Sequence, residues 1–344
     1  MSDFDFIEHF DAPVEVKNEE QLSENEAVSA INCAFVGFGG GGGKLAKAFL
    51  DLGFNKTLLI NTTAKDQPQG VDEKHMVIVP DADGVAKNIE FGKEVFARNS
   101  AFVEDALRTK LGKVDWLFVL AGGGGGTGSA CSVLHETFER YLKSVGGEGK
   151  VFYIMTWPSA QESLNHTIVK NAFSLSNDIA KHPHIVLSNE RQLAFLRGKV
   201  GIANMFPTAN TAFAKLFHQI LKLSSEQSSI QTFDSKDLER CLKTSKRTFI
   251  GSTLIQNAKS PNLGSEIFQN CVKKSPCYEM KGSPKTGTLL LVISPEMAAD
   301  PDIGTNLDAA ASYVGGRTET LFSGIYVKEN IPGLIAILSM SGLD

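Results

Sequence analysis

Glycine is concentrated in two short stretches of this chain, where its lack of a side chain suits phosphate chemistry. Residues 37–43 and 122–128 hold twelve of the 32 glycines and are interrupted only by Phe38 and Thr127. Such a turn aims several backbone N–H groups at one point, and a helix that starts there adds the positive end of its dipole. A flexible glycine linker would instead be flanked by polar residues. Both stretches are therefore candidate phosphate-binding turns.

The residues around the two turns predict the elements that position them. Apolar runs at 31–36 and 114–121 precede the turns and are typical of buried strands. Apolar side chains at helical spacing follow, at 44–50 and 130–138. We therefore expect a strand, a glycine turn and then a helix at both places.

Two common phosphate-binding motifs can be tested against the first turn. A Walker A loop fails twice, because Phe38 stands at its first glycine and Leu45 at its magnesium-binding hydroxyl. A dinucleotide-binding loop fits the glycines loosely but requires an acidic residue after the next strand. That strand, at 57–60, is followed by Asn61. An NAD(P)-dependent enzyme is therefore a less favoured alternative.

The second turn contains a longer and more specific string. Residues 124–129, Gly-Gly-Gly-Thr-Gly-Ser, resemble the signature of the tubulin/FtsZ superfamily of GTP-dependent filament proteins. By the same resemblance, residues 37–43 are similar to the phosphate loop of FtsZ. At Gly125 and Gly126 we expect a φ that only glycine tolerates, because a phosphate must approach the backbone there.

Further segments extend the resemblance over about residues 30–342. Residues 61–64 resemble the Asn-Thr-Asp-Ala loop of FtsZ, with Thr63 in place of the aspartate. Residues 83–92 resemble, in degenerate form, the loop that closes over the terminal phosphate. Lys87 in that loop offers charge to a phosphate, although a lone exposed lysine is usually only solvated.

The resemblance also implies residues for the ribose and the base. Glu162 corresponds to a ribose-contacting glutamate, Asn189 to the asparagine that reads guanine, and Thr211 stands where FtsZ has a base-contacting aspartate. An asparagine just after a strand is, alternatively, a turn former. The nucleotide site implied by the resemblance comprises Gly39, Gly40, Gly41, Asn61, Gly84, Gly122, Gly123, Gly124, Gly125, Gly126, Thr127, Gly128, Ser129, Pro158, Glu162, His166 (where FtsZ has arginine), Asn189 and Asn210.

Two acidic residues are the candidate catalytic groups. Residues 231–238 resemble the Asn-x-Asp-x-x-Asp segment of FtsZ, with Thr232 in place of asparagine. The resemblance implies that Asp234 and Asp237 enter the pocket of the next subunit and polarise the attacking water. The alternative is structural, because Asp234 as N-cap and Asp237 at the third helical position make a sound helix start. The two roles are compatible.

Composition limits the other classes of function. Hydrophobic residues make up 42% and charged residues 21%, and no apolar run reaches the roughly 20 residues of a membrane span. The five cysteines form no CxxC pattern, so we expect no metal site, no disulfide framework and a cytoplasmic location. No basic stripe with interleaved aromatics predicts direct nucleic-acid binding. Residues 1–26 hold nine acidic residues and one lysine, which predicts a disordered acidic arm.

These observations and the resemblance together predict an α/β protein. We expect an acidic arm (1–28), a Rossmann-like parallel-sheet GTPase domain (29–207), a long core helix (208–230) and a smaller α/β activation domain (231–344). The resemblance, to a divergent member such as the phage or plasmid tubulin-like proteins, implies a GTPase that uses GTP/GDP and Mg²⁺. It implies head-to-tail homopolymers in which the neighbouring subunit completes catalysis, with no direct contact to nucleic acid or membrane. The acidic arm is the candidate attachment point for an adaptor. A non-polymerising regulatory relative is the alternative.

Overall fold

The computed structural model describes residues 26–344, so the predicted acidic arm lies outside the described residues apart from its last three. The described chain forms two compact units. One unit contains residues 31–214, and the other contains residues 215–344 together with residues 26–30. Among the described residues, no helix combines the length and the apolar character that crossing a membrane requires.

The unit formed by residues 31–214 is built on a parallel sheet. Its strand order is β3-β2-β1-β4-β5-β6, and every neighbouring pair is parallel. Nearly every residue in β1, β2, β4, β5 and β6 is buried, as expected for strands covered on both faces. The strands expected at 31–36, 57–60 and 114–121 are confirmed as β1 Cys33–Phe38, β2 Thr57–Asn61 and β4 Trp116–Gly122. The other strands are β3 Met76–Ile78, β5 Val151–Trp157 and β6 His184–Ser188.

Helices connect these strands, as a parallel sheet requires. Short 3₁₀ turns lie at Glu73–His75, Cys131–Leu134, Glu162–Leu164 and Ile202–Asn204. The helices are α1 Gly39–Asp51, α2 Ile89–Arg98, α3 Ser100–Leu111, α4 Gly126–Ala130, α5 His135–Ser144, α6 His166–Ile179, α7 Asn189–Leu196 and α8 Met205–Leu223, the last of which continues into the other unit.

The glycine stretches are more helical than the sequence suggested. Helix α1 begins at Gly39, so five consecutive glycines form its first turns instead of a preceding loop. Glycine is required there by packing: a Cβ on Gly42 would lie 2.2 Å from the carbonyl oxygen of Leu120. After β4 the predicted single helix is interrupted, because the 3₁₀ turn Cys131–Leu134 separates α4 from α5.

Aromatic rings fill the core between the sheet and α1. Phe35 of β1 stacks on Phe49 of α1 at a centroid distance of 4.0 Å and on Phe118 of β4 at 5.0 Å. All three side chains are fully buried. Each buried aromatic side chain contributes a large apolar area, so this stack anchors α1 against the middle of the sheet.

The other unit is a small mixed sheet with helices, as predicted. Strand β10 runs antiparallel to β7 and β8, β9 runs parallel to β8, and the order is β7-β10-β8-β9. Helix α8 ends earlier than the core helix expected over 208–230, because helically spaced apolar residues stop at Leu223. The elements are α9 Ser235–Lys243, β7 Arg247–Ile255, α10 Leu263–Lys274, β8 Thr286–Ile293, α11 Pro295–Ala298, α12 Pro301–Gly315, β9 Thr320–Val327 and β10 Leu334–Leu343.

We predict that Gly42→Ala destabilises the protein by about 1–3 kcal/mol, because the added methyl overpacks the contact between α1 and β4. Gly304→Ala is the matched control, since a Cβ at this glycine of α12 meets no atom within 4 Å. The control should be neutral or stabilising by ~0.5–1 kcal/mol. Urea unfolding midpoints measure both variants, and equal midpoints would contradict the packing argument.

Candidate functional site

A cavity of about 680 Å³ opens at the carboxyl ends of β1 and β4. The strand order reverses between these two strands, which is where open parallel sheets bind ligands. The volume falls within the range of small-molecule sites, about 300–1,000 Å³. Every residue that lines the cavity belongs to the unit 31–214.

Both glycine turns line the cavity, and packing explains why side chains are absent there. Gly39 adopts a left-handed φ of +67°, and a Cβ on it would lie 2.9 Å from the backbone nitrogen of Gly128. The two turns therefore approach each other backbone to backbone. Helix α1 begins at this edge without a side-chain cap, so the N–H groups of its first turn are available to an anion.

The central glycines of the second turn do not need a special backbone conformation, so that expectation was wrong. Gly125 has a φ of −82°, and Gly126 is also outside the left-handed region. A Cβ on Gly126 would lie 2.6 Å from Cγ2 of Val85, whereas a Cβ on Gly125 would meet no atom within 4 Å. Packing against the third loop thus requires Gly126. At Gly125 the missing side chain leaves the cavity itself open.

Side-chain hydroxyl groups stabilise the second glycine turn. Ser129 Oγ donates to the carbonyl oxygen of Gly123 at 2.7 Å, and the hydroxyls of Thr127 and Thr62 lie 2.9 Å apart. Ser129 and Gly123 are not among the residues that line the cavity, although Thr127 is. The serine of the signature therefore supports the turn.

A third loop closes one side of the cavity with a strained backbone. Gly84, Ala86 and Lys87 all adopt positive φ, at 86°, 46° and 63°, and all three line the cavity. Such conformations are costly for residues other than glycine and persist only where the surroundings impose them. Asn171, which is 1% exposed, donates from Nδ2 to the carbonyl oxygens of Lys87 at 2.8 Å and Gly124 at 3.3 Å. It thereby connects this loop to the second glycine turn.

Charged side chains of both signs line the cavity. The ammonium groups of Lys44 and Lys87 make no hydrogen bond or ion pair with the described residues, so both are available to an anionic ligand. Asp66 lies beside the first glycine turn, since its Cβ would be 3.6 Å from a Cβ on Gly40. This donor set fits a polyphosphate together with a divalent cation, which takes phosphate, water and carboxylate oxygens.

Thr63 occupies the position where the resemblance expects an aspartate, and it lines the cavity and contacts a neighbouring carboxylate. Thr63 Oγ1 donates to Asp83 Oδ1 at 2.8 Å, and Lys65 Nζ lies 2.9 Å from Asp83 Oδ2. The hydrogen bond from Lys65, followed by that from Thr63, lowers the pKa of the Asp83 carboxyl below its ordinary value. A carboxylate from the next loop thus stands beside Thr63.

The opposite end of the cavity carries aromatic and amide groups. Glu162 Oε2 accepts from the backbone nitrogen of Ser159 at 2.7 Å and from Nδ2 of Asn189 at 3.1 Å. These bonds leave Oδ1 and the second amide hydrogen of Asn189 for a ligand. Phe206 and Asn210, both on α8, also line this cavity, and Phe206 is 40% exposed.

The structure brings most of the predicted site residues together, but not all. Asn61 is buried, accepts from the backbone nitrogen of Thr62 at 2.8 Å, and its Nδ2 has no partner among the described residues. His166 is exposed at the start of α6 and does not line the cavity. The predicted residues that do line it are Gly39, Gly40, Gly41, Gly84, Gly122, Gly124, Gly125, Gly126, Thr127, Gly128, Pro158, Glu162, Asn189 and Asn210.

The candidate catalytic pair belongs to the other unit and begins α9. Asp234 is the N-cap, and its Oδ1 accepts from the backbone nitrogens of Lys236 at 2.8 Å and Asp237 at 3.0 Å, which confirms the predicted helix start. Burial, with a smaller contribution from the charge of Asp234, raises the pKa of the Asp237 carboxyl. Both carboxylates keep oxygens free for a further partner.

Sequence reasoning missed four residues of this region. Lys44 directly follows the first glycine run and lines the cavity. Excluding the Walker A motif left it without a role, although a basic residue next to a glycine turn indicates an anion-binding site. Phe206 was not predicted because it is one of many apolar residues in and around α8, and its type does not distinguish it from core residues. Asp66 and Asn171 carry no motif, because contacts between distant elements place them. Within the described chain, no group of three or more His, Cys, Asp or Glu could hold a metal ion by itself.

Comparison with known proteins bears on the fold and on ancestry. No protein-family model matches the chain. The tubulin-like protein CetZ of Methanothrix thermoacetophila is 26% identical over 313 residues, which is 87% of this chain and 81% of the relative.

Two solved structures show a similar fold. CetZ2 from Haloferax volcanii, a GTPγS-bound protofilament, superposes with a TM-score of 0.74 at 18% identity and covers 91% of this chain and 94% of that one. TubZ of Bacillus thuringiensis serovar israelensis, a GTPγS-form protofilament, gives a TM-score of 0.74 at 17% identity, with 93% and 90% covered. The predicted α/β fold class is confirmed.

We predict that Asn171→Leu loosens the third loop, because two backbone carbonyls lose their donor at a cost of about 1–3 kcal/mol. The backbone amides of Gly84, which donates to the carbonyl oxygen of Thr62, and of Asn88, which donates to that of Val85, should exchange their hydrogens faster. Asn99→Leu is the matched control, since Asn99 is also buried and its amide donates to the carbonyl oxygens of Val95 and Pro80. Hydrogen exchange measured by mass spectrometry compares the variants. Unchanged protection at 84–88 in Asn171→Leu would exclude the connection.

Proposed function

The chain is a divergent member of the tubulin/FtsZ superfamily of cytoskeletal GTPases, and on this premise we propose that it binds GTP and GDP, assembles head to tail and hydrolyses GTP between subunits. The observation that carries the proposal is that both glycine turns, the third loop and the amides of Asn189 and Asn210 line the same cavity. The two protofilament structures with a similar fold support self-assembly.

The phosphates would lie against the glycine turns. Backbone N–H groups at the start of α1 and in the second turn donate to phosphate oxygens, while Lys44 and Lys87 offset their charge. Asp66, the lining carboxylate beside the first turn, would help to hold Mg²⁺, which when bound would supply further charge neutralisation. The donor set thus favours a triphosphate over an uncharged ligand.

The base and ribose would occupy the opposite end. The exposed ring of Phe206 offers a stacking surface, and the amides of Asn189 and Asn210 can pair with the edge of guanine. Glu162, held by Ser159 and Asn189, keeps its second carboxylate oxygen for a ribose hydroxyl. Thr211 is exposed and brings no carboxylate to the base. Discrimination against adenine therefore rests on the neutral amides.

Hydrolysis would be completed by the acidic pair of a neighbouring subunit. Asp237 would orient the attacking water and accept its proton, a role that a carboxylate with a raised pKa performs better than an ordinary one once ionised. The cap made by Asp234 fixes the start of α9 and hence the direction of Asp237. The proposed location is the reducing cytoplasm, because the five cysteines are scattered along the sequence and form no CxxC pattern.

A dinucleotide-dependent enzyme would use the same strand order, 3-2-1-4-5-6. Its ribose carboxylate would stand at the end of β2, where this chain has Asn61. A non-polymerising relative would bind nucleotide without assembly. GTP-dependent light scattering, recorded together with phosphate release, separates these functions in one sample.

We predict that Gly125→Val folds normally but loses GTP affinity. A side chain at this position meets no protein atom within 4 Å and projects into the cavity. Loss of two hydrogen bonds to charged phosphates, at about 1.5–3 kcal/mol each, weakens binding by about 100-fold or more. Gly304→Val is the control, with the same added side chain in open space. Titration with a fluorescent GTP analogue measures both. Wild-type affinity of Gly125→Val would place the phosphates elsewhere.

We predict that Asp237→Asn still binds GTP and assembles but hydrolyses it about 100- to 10,000-fold more slowly, as loss of a general base implies. Asp302→Asn is the matched control, because Asp302 is likewise an acidic residue in the first turn of a capped helix, α12. If both aspartates act only on the helix dipole, each change costs about 0.3–1 kcal/mol of stability and leaves turnover unchanged. Phosphate release above the assembly threshold is the measurement.

A further inference from the structure

The acidic pair is presented by a segment that lies along the free edge of the smaller sheet. Strand β9 is the last strand in the order β7-β10-β8-β9, so its outer edge has no strand partner among the described residues. Residues 228–233, which we call the strap, cover that edge just before Asp234. The backbone nitrogen of Ile325 donates to the carbonyl oxygen of Gln231 at 2.8 Å, and Ser228 Oγ donates to the carbonyl oxygen of Ile325.

One buried hydroxyl fixes the end of the strap. Tyr326 Oη accepts from the backbone nitrogen of Phe233 at 3.1 Å and donates to the carbonyl oxygen of the same residue at 3.1 Å. Tyr326 is 1% exposed and Phe233 is fully buried. Both peptide groups around Phe233 are therefore set by a single side chain, one residue before the N-cap Asp234.

Gly324 provides the space for this contact. A Cβ on Gly324 would lie 2.8 Å from Cε2 of Tyr326, 2.9 Å from Cβ of Phe233 and 3.2 Å from the backbone nitrogen of Phe233. Any side chain at 324 would push the strap and the tyrosine ring away from β9. Strand β9 therefore contacts the end of the strap in two ways: Gly324 leaves space for Phe233, and the buried hydroxyl of Tyr326 binds its main chain.

The N-cap hydrogen bonds of Asp234 fix the two carboxylates within the first turn of α9, so their direction follows that of the helix start. Asp234 is exposed and Asp237 is half-buried, while Phe233, between the strap and α9, is buried. A displacement of about 1 Å in a catalytic group can cost roughly 100-fold in rate. The direction of the pair therefore depends on the main chain that precedes it.

We propose that Tyr326 is the positioning residue for the acidic pair: its hydroxyl holds the main chain of Phe233 so that Asp234 and Asp237 keep the direction in which they meet GTP of the next subunit. The inference rests on the proposed function, because it assigns a role within that reaction. Tyr326 touches no reacting atom and acts through the strap.

Tyr326→Phe tests the role by removing the hydroxyl while keeping the ring. Turnover at saturating GTP should fall by roughly 10- to 100-fold. The dissociation constant of the monomer for GTP should not change, since the cavity lies in the other unit, and turnover is compared above the assembly threshold of each variant. Tyr141→Phe is the matched control: Tyr141 is fully buried, and its hydroxyl donates to the carbonyl oxygen of Gly112 at 2.8 Å in the unit 31–214. The control should keep wild-type turnover.

Gly324→Ala tests the same contact from the opposite side and serves if Tyr326→Phe does not fold. It should show the same loss of turnover at unchanged GTP affinity. The strap acts on GTP bound by a neighbouring subunit. In a mixture, Gly125→Val subunits therefore present a correctly held Asp237 to GTP bound by Tyr326→Phe subunits, and turnover should be partly restored. A general loss of stability in Tyr326→Phe would not be restored in this way. Wild-type turnover in the folded variants would overturn the inference.

Asp237→Asn, measured in parallel, separates this inference from the proposed function. If Asp237→Asn is slow while Tyr326→Phe and Gly324→Ala turn over like the wild type, the positioning role fails and the proposed function stands. If Asp237→Asn turns over like the wild type, the catalytic role of the pair falls, and the inference falls with it. If Asp237→Asn and Tyr326→Phe both turn over GTP slowly while Tyr141→Phe keeps wild-type turnover, the proposed function and the positioning role are both supported.

Discussion

The contact between the glycine face of α1 and the carboxyl end of β4 is the constraint on which the cavity depends. Helix and strand meet backbone to backbone, since a Cβ on Gly42 would lie 2.2 Å from the carbonyl oxygen of Leu120 and one on Gly41 would lie 3.2 Å from Cα of Gly122. Any side chain at Gly42 would separate the two elements. The glycines therefore serve packing as much as ligand approach, and the aromatic stack of Phe35, Phe49 and Phe118 holds the helix in that position.

The exposed charged residues to which we assign roles share one mode of support. Lys87 is presented by a loop whose main chain is held by the buried amide of Asn171. Asp234 is preceded by a strap whose main chain is held by the buried hydroxyl of Tyr326. In both cases the charged side chain stays in solvent, where its desolvation costs nothing. The position of the charged residue is fixed by a neutral polar side chain, which forms hydrogen bonds with main-chain donors or acceptors of the supporting segment.

Much of the fold followed from pattern alone. The apolar runs predicted β1, β2 and β4 to within about two residues, the usual uncertainty of element ends. The capping role of Asp234 was readable because an N-cap acts within three residues of itself. The start of α1 at Gly39 was not readable, because glycine has low helix propensity and only the contact with β4 stabilises a helical run of five. Gly125 and Gly126 do not adopt the left-handed φ expected of them: packing against Val85 requires Gly126, whereas a Cβ on Gly125 would meet no atom within 4 Å.

By itself the sequence determined the strand–turn–helix order, the two glycine turns and the signature over residues 124–129, because periodicity and turn composition are local properties. Only the tertiary structure decided which side chains meet. Asn171 and the carbonyl oxygen of Lys87 are 84 residues apart in the chain, and Glu162 and Asn189 are 27 apart. Such pairs arise when elements distant in sequence pack on one sheet, and the geometry of that packing is encoded by the whole core and not by the residues that finally touch.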